Sequence, residues 1–279
     1  MGVAVNRERR IQTVIGLLVV AVVVLIIMGA GVAVYLSHRR AEHVQTSSFD
    51  ELQQVGTKSG SATDEGGIPV SVNGHGHVAD APTVEVYIDP MCPACGQVDR
   101  ALNPTLLRLV QSGQVSVELH LIAFLDRASS DSYSTRASSA LAYVAEHDPR
   151  HAVAFMGALF EPGYQPDETR YVPTGDDKIA NQAIHAGMDA ALARKAVSGE
   201  YRQWVDAATT YTVSRKALQD PDRGSFATPL LRINHKNWPI PAVELSTLPE
   251  TFLKSLGLAP ENIGSASIKP IIGANGTPS

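Results

Sequence analysis

Two cysteines, Cys92 and Cys95, are the residues whose type and spacing most directly suggest chemistry. They enclose only Pro93 and Ala94, and the 279-residue sequence contains no other cysteine. A structural disulfide gains most from closing a long loop, so a bridge across two residues adds little stability. A tetrahedral zinc site would need two more ligands, which no further cysteine can supply. The spacing therefore indicates a redox-active pair.

The elements around this pair must present one sulfur and bury the other. Residues 83–88 (TVEVYI) alternate and are β-branched, which predicts a strand. Asp89, Pro90 and Met91 then form a turn, and a helix is expected to begin at about Cys92, with Pro93 in its first turn. A sulfur at a helix N-terminus is favoured as the reactive thiolate. Cys95, one turn further along, is expected to be more buried, which fits attacking and resolving roles.

The remaining pattern predicts an α/β fold. A second clear strand is expected within 115–124, mostly helical structure over 134–218, a strand over 229–234 and a last helix over 248–256. A strand–helix–strand unit with a crossover implies parallel pairing, with helices packed against a central sheet. His75 and His77 lack an obvious third ligand nearby, so no metal site is predicted.

The sequence resembles the DsbA-like family of thiol–disulfide oxidoreductases from bacterial envelopes. The resemblance rests on VEVYIDPMCPAC at 84–95, the helical block, and FATPLLRIN at 226–234, and it covers about residues 68–258. It implies a thioredoxin-like fold with an inserted helical subdomain and an enzyme whose redox-active disulfide needs no other cofactor. It also implies that Thr228-Pro229 holds a cis-proline facing the cysteines, where the Thr228 backbone would pair with a substrate peptide.

The sequence departs from this family in two places. Relatives usually carry a buried acid six residues before the first cysteine, where this chain has Val86. Glu85 is one residue away and is expected to point to the opposite face of the sheet, and Asp89 is expected to serve the turn with Pro90. Ala94 replaces the histidine of the most oxidising relatives, which predicts a less oxidising pair.

Outside the catalytic region, the sequence predicts a tethered protein. Residues 14–36 carry no charge and are long enough for a transmembrane helix, preceded by a short cytoplasmic segment at 1–13. The alternative is a cleaved signal peptide, for which Gly31-Val32-Ala33 offers a small-x-small site. A flexible linker is expected over 37–67 and a loose tail over 259–279.

Charge and chemistry together predict location and partners. Five arginines and one glutamate lie within residues 1–40, although the whole chain has a net charge of −5, so the remainder is acidic and does not favour nucleic acid. The domain is expected on the extracytoplasmic side of the cell membrane as an oxidase of cysteine-containing secreted or envelope proteins, recycled by a membrane redox partner. A reductase, or a non-enzymatic tethered chaperone or binding module, is the alternative.

Overall fold

The chain divides into two units, Met1–Ser47 and Ser48–Ser279. The computed structural model describes residues 2–278, with side chains from residue 26 onward. Helix α1 covers Gly2–Gln54. Among the residues whose side chains are described, from Ile26 onward, no helix has the length and hydropathy that a membrane span requires. The side chains at 14–25 of the expected span lie outside the described residues, and from Ile26 to Leu36 the large apolar side chains are exposed.

The second unit contains a mixed β-sheet and α-helices. Its strands are β1 (Gly67–Ser71), β2 (Gly74–His75), β3 (Thr83–Ile88), β4 (Ser116–Leu121), β5 (Leu230–Ile233) and β6 (Lys236–Trp238). Its α-helices are α2 (Pro93–Gln111), α3 (Tyr133–His147), α4 (Pro149–Leu159), α5 (Asp176–His185), α6 (Ala190–Ala196), α7 (Arg202–Ser214) and α8 (Leu248–Leu256).

The sheet has the strand order β2-β1-β4-β3-β5-β6. Strands β3 and β4 are parallel, because α2 carries the chain back along the sheet between them, and the other pairs are antiparallel. The C-terminal end of β3 therefore lies in the middle of the sheet, directly before the cysteine pair. Helices α3 to α7 form the helical block inserted between β4 and β5.

The two faces of the central strands differ in chemistry. The apolar face carries Val84, Val86 and Ile88 of β3, and these pack in one buried cluster with Leu102 and Leu106 of α2. The opposite face, here called the charged face, is formed by five residues whose register places them side by side: Glu85, Tyr87, Glu118, His120 and Arg232. Side chains alternate along a strand, so adjacent residues separate to the two faces.

The structure corrects the expected flexible linker over 37–67. Helix α1 continues to Gln54, and Leu52 is only 2% exposed within the core of the second unit. Phe49 lies three residues earlier, and its ring centroid is 5.2 Å from that of Tyr211. Phe49 and Leu52 are spaced as residues on one side of a helix, although most of their neighbours in the sequence are polar. They give this segment an apolar side to bury.

The structure also corrects the loose tail expected over 259–279. Two side-chain amides hold the main chain of this segment. Gln114 Nε2 donates 2.9 Å hydrogen bonds to Asn262 O and Ile268 O, and Asn234 Nδ2 donates 2.9 Å bonds to Gly273 O and Gly276 O. Ile263 and Ile272 of the same segment also pack against the hydrophobic core.

Candidate active site

Cys92 is the N-cap residue of α2, directly after the turn that ends β3. The Cys92 N–H donates to Asp89 O at 2.9 Å, and Pro93 occupies the first turn of the helix. Cys92 has extended backbone angles, and its sulfur accepts a 3.4 Å hydrogen bond from the Cys95 N–H. The unpaired N–H groups and the dipole of the helix therefore face this sulfur. Pro93 and Ala94 are exposed, which leaves room for an incoming peptide.

The two sulfurs have opposite tendencies to ionise. The hydrogen bond from the Cys95 thiol lowers the pKa of Cys92 to about 6, with further help from the backbone N–H groups of Cys95 and Ala94 and against the opposing effect of burial. Burial raises the pKa of Cys95 well above its usual value, and the neighbouring Cys92 adds to this. Cys92 is 7% exposed and Cys95 is 1% exposed. Cys92 is thus the accessible thiolate and Cys95 the protected thiol.

The loop before β5 faces the pair. The Thr228–Pro229 peptide bond is cis, and Cys92 Sγ lies 3.6 Å from Thr228 O. Both residues of the loop are half-buried. A groove of about 290 Å³ runs along Pro229 between this loop and β6. An extended peptide bound beside Thr228 would bring its own sulfur to Cys92.

Asp89 has more partners than a turn residue needs. Its Oδ1 accepts a 2.9 Å bond from Met91 N–H, as the expected turn requires, and a 2.6 Å bond from Ser134 Oγ. Its Oδ2 accepts a 2.9 Å bond from Leu125 N–H. Burial raises the pKa of Asp89 to about 7, although these three donors act in the other direction. Asp89 therefore ties the active-site turn to the first helix of the insertion and can exchange a proton near neutral pH. Pro90 is buried beside it.

Asp99 is a second buried acid near the cysteines, and the sequence analysis missed it. It lies four residues after Cys95, on the same side of α2. Burial raises its pKa to about 7, opposed by a 3.1 Å hydrogen bond from Asn103 Nδ2. Asp99, Cys95 and Pro229 line a common cavity of about 20 Å³, which is large enough for one water molecule. The helical spacing from Cys95 is a signal that could have found it.

Glu85 does not take part in this site. It lies on the charged face, where Arg232 Nη1 approaches its Oε2 to 2.6 Å and the His235 N–H donates to its Oε1 at 2.9 Å. Tyr87 Oη donates to Oε2 at 3.1 Å. Val86 occupies the apolar face and lines the cavity beside Cys95. The position used by the family's acid is therefore apolar, as the alternation of the strand predicts.

Gln165 is another residue of the site that the sequence analysis missed. It lies in the loop between α4 and α5, and its Nε2 donates a 2.9 Å hydrogen bond to Cys92 O and a 3.3 Å bond to Pro90 O. The inserted helical subdomain thereby contacts the backbone of the active-site turn. No local pattern signals this contact, because Gln165 and Cys92 are 73 residues apart.

The described residues contain no cluster of three or more potential metal ligands. His75 Nε2 instead lies 3.0 Å from Ala145 O, and His77 Nδ1 lies 3.1 Å from Thr83 Oγ1. What the site brings together is a stabilised thiolate, a buried thiol, two acids with raised pKa values and a half-buried loop with a cis-proline. This arrangement suits thiol–disulfide exchange with a peptide.

Comparison with known proteins gives consistent matches. A family model described as thioredoxin matches residues 75–247. The structure superimposes on oxidised DsbA of Mycobacterium tuberculosis with a TM-score of 0.54 and 26% identity, covering 72% of this chain and 97% of that one. The reduced disulfide bond oxidoreductase DsbG of the same organism gives a TM-score of 0.54 at 26% identity, covering 72% of this chain and 92% of that one. These matches confirm the expected thioredoxin-like α/β fold.

Two further matches support more limited conclusions. MdbA of Corynebacterium matruchotii, a thiol–disulfide oxidoreductase, has 20% identity and a TM-score of 0.51, covering 76% of this chain and 98% of that one, and this shows the fold alone. The serine/threonine-protein kinase PknE of M. tuberculosis is 35% identical over 109 residues, 38% of this chain. The match spans only 19% of the length of PknE.

Proposed function

Because the chain belongs to the thioredoxin family and is a DsbA-like member of it, we propose that it exchanges disulfides with cysteine-containing secreted or envelope proteins, acting as an oxidase through Cys92 and Cys95. The observation that carries this proposal is the contrast between the two sulfurs. Cys92 ionises at a pKa of about 6, whereas burial holds Cys95 as a thiol. A pair whose reduced form contains a stabilised thiolate favours reduction of its own disulfide, which is the property of an oxidant.

The proposed reaction proceeds in two exchanges. A substrate thiolate attacks Cys92 Sγ, the Cys92–Cys95 bond breaks, and a mixed disulfide forms while Cys95 leaves and takes up a proton. A second substrate thiolate then attacks the substrate sulfur of this mixed disulfide and expels the Cys92 thiolate. The substrate is oxidised by two electrons and the pair is reduced. The backbone of Thr228 and the groove at Pro229 would hold the substrate peptide, and a membrane redox partner would reoxidise the pair.

A trapping experiment tests the chemistry. In Cys95→Ala the Cys92 thiolate can still attack a disulfide of an oxidised envelope protein and release one substrate thiolate, but no Cys95 thiol remains to displace the substrate, so mixed disulfides are expected to accumulate on Cys92. Cys92→Ser is the matched control and is expected to trap none. If Cys95→Ala forms no mixed disulfides, the exchange mechanism is wrong. If Cys92→Ser retains full biological function, the non-enzymatic binding module is the better account.

A redox titration against glutathione tests the direction. Ala94 offers no side-chain donor to the Cys92 thiolate, so we expect a potential below the approximately −120 mV of DsbA. A value above about −200 mV would support the oxidase, and a value near the roughly −270 mV of thioredoxin would support the reductase instead.

The proposal includes a membrane tether formed by residues 14–36. The absence of charge over this segment and the exposed apolar side chains from Ile26 to Leu36 support it. We expect the full chain to resist extraction from membranes by alkaline carbonate, and a chain lacking residues 1–47 to be released. Protection of residues 48–279 from external protease in intact spheroplasts would contradict the extracytoplasmic location.

A further inference from the structure

The side chain of Gln165 fixes the active-site turn through two backbone carbonyls. One nitrogen, Nε2, donates to both Cys92 O and Pro90 O, at 2.9 and 3.3 Å. Cys92 O also accepts the 3.1 Å bond from Gly96 N–H, by which the first turn of α2 forms. The carbonyl of the reactive residue is therefore held by two donors, and the residues on either side of Met91 are fixed by one amide.

Gly96 makes room for this amide. A Cβ added at Gly96 would lie 2.1 Å from Gln165 Oε1 and 2.9 Å from Gln165 Cδ, and both distances are far below ordinary contact. A glycine inside a helix costs about 1 kcal/mol relative to alanine, so its presence needs a packing reason. The close packing of the Gln165 side chain against Gly96 supplies that reason. The helix and the loop are shaped for each other at this point.

Arg100 binds the oxygen end of the Gln165 amide. Its Nη1 donates a 3.2 Å hydrogen bond to Gln165 Oε1 and a 2.7 Å bond to Phe160 O. The cation lies at the oxygen end of the amide, and the nitrogen end faces the carbonyl of Cys92. The amide dipole therefore presents its positive end to the residue that carries the thiolate, and the guanidinium polarises it further.

We propose that Gln165, seated on Gly96 and backed by Arg100, is a positioning residue that stabilises the Cys92 thiolate and so sets how oxidising the Cys92–Cys95 disulfide is. The inference rests on the proposed redox function. The charge on Cys92 exists only in the reduced pair, so an interaction that favours the thiolate stabilises the reduced form over the disulfide. Loss of the amide is expected to leave the disulfide less oxidising.

The test compares two glutamines of the same inserted subdomain. Gln165→Ala removes the contact with Cys92, and Gln182→Ala removes a similar 2.9 Å bond from Gln182 Nε2 to Ala158 O in α4. In Gln165→Ala we expect the Cys92 thiolate, followed by its ultraviolet absorbance, to form at higher pH. The equilibrium constant with glutathione should shift about three- to tenfold toward the disulfide. Gln182→Ala is expected to change neither quantity. Asp89, Cys95, Asp99 and Arg100, the titratable groups around Cys92 and Gln165, are retained in both variants.

Two further measurements separate positioning from simple loss of structure. The stability of the oxidised and reduced forms is measured in both glutamine variants. Gln165→Ala should destabilise the reduced form more than the oxidised form, whereas a purely structural role would lower both equally. Gly96→Ala, which would displace the amide without removing it, is expected to shift the equilibrium in the same direction as Gln165→Ala. Equal behaviour of the two glutamine variants would overturn the inference. A wild-type chain without any reversible thiol–disulfide couple would overturn the proposed function itself.

Discussion

Four carboxylic acids are buried among the described residues, and they fall into two pairs with different surroundings. Glu85 and Glu118 are register partners on the charged face, so their charges lie side by side. Each has a basic side chain beside it: Arg232 Nη1 lies 2.6 Å from Glu85, and His120 Nε2 lies 3.0 Å from Glu118. Although burial acts to raise the pKa of Glu118, the hydrogen bond and charge of His120 lower it below the usual range.

Asp89 and Asp99 lie near the cysteines instead, and neither forms a salt bridge within the described part of the chain. Their hydrogen-bond donors are neutral, and burial raises the pKa of each to about 7, although the charge of Arg100 opposes the rise at Asp99. An acid with this pKa changes its protonation close to neutral pH. The contrast teaches that similar burial produces different chemistry: a basic partner at ion-pair distance lowers the pKa of Glu118, whereas the two acids without such a partner have raised pKa values beside the redox pair.

The largest expected effect comes from breaking the charged face. Glu85→Ala leaves the buried guanidinium of Arg232 without its counter-ion, which should lower the free energy of unfolding by about 3–5 kcal/mol. Chemical denaturation of the reduced protein measures this. Because Glu85 is not part of the cysteine site, the pKa of Cys92 should stay near 6.

The matched control replaces both members of the ion pair. In Glu85→Met with Arg232→Met, no unpaired charge remains, so much of the lost stability should return. A change in the pKa of Cys92 in Glu85→Ala would show that the charged face and the cysteine site are coupled, which would contradict their separation.

The positions of these acids also show which parts of the site could be predicted from the sequence. Strand alternation was sufficient to separate Glu85 from Val86, and helix N-terminus chemistry was sufficient to place Cys92, because both depend on residues that are neighbours in the chain. Asp99 was within reach of the same reasoning, since it follows Cys95 at helical spacing. It was missed because the apolar residues of α2 define the helix more strongly than one acid among them.

Other features depended on contacts between distant segments. Gln165 reaches Cys92 from a loop of the insertion, and Ser134 reaches Asp89 across 45 residues. Such contacts exist only once the insertion has packed, so no local pattern encodes them. The segment with Phe49 and Leu52 was predicted as a flexible linker for a related reason. Its average composition is polar, and its two apolar residues contact the core of the second unit only after folding.

Asp99→Asn is expected to produce the next largest effect, with the opposite sign. The pKa of Asp99 rises from 3.8 to about 7 on folding, so its stabilising contribution is complete below about pH 4 and is lost as the pH rises through 7. Asparagine does not titrate and avoids that loss. Relative to the wild type, the variant should therefore gain on the order of 2–4 kcal/mol between pH 4 and pH 8 in denaturation experiments.

Glu118→Gln is the counterpart on the charged face. The pKa of Glu118 is lowered on folding, so its contribution is present above its unfolded pKa and is lost as the pH falls. This variant should lose stability relative to the wild type at neutral pH, and the difference should shrink in acid. The same pH trend for Asp99→Asn and Glu118→Gln would refute the distinction between unpaired and paired acids.

The smallest expected effect concerns the hydroxyl that supports Asp89. Ser134→Ala removes the 2.6 Å hydrogen bond to Oδ1, which favours the ionised carboxylate, so the pKa of Asp89 should rise further. The cost should be about 1–2 kcal/mol at pH 8 and less at pH 5, where Asp89 is protonated in the folded protein. Ser138→Ala is the matched control on the same helix, because its hydroxyl donates to the neutral Ile122 O at 3.3 Å. Its cost should not change with pH. A pH-independent cost for Ser134→Ala would mean that Asp89 keeps one protonation state over this range and serves the turn alone.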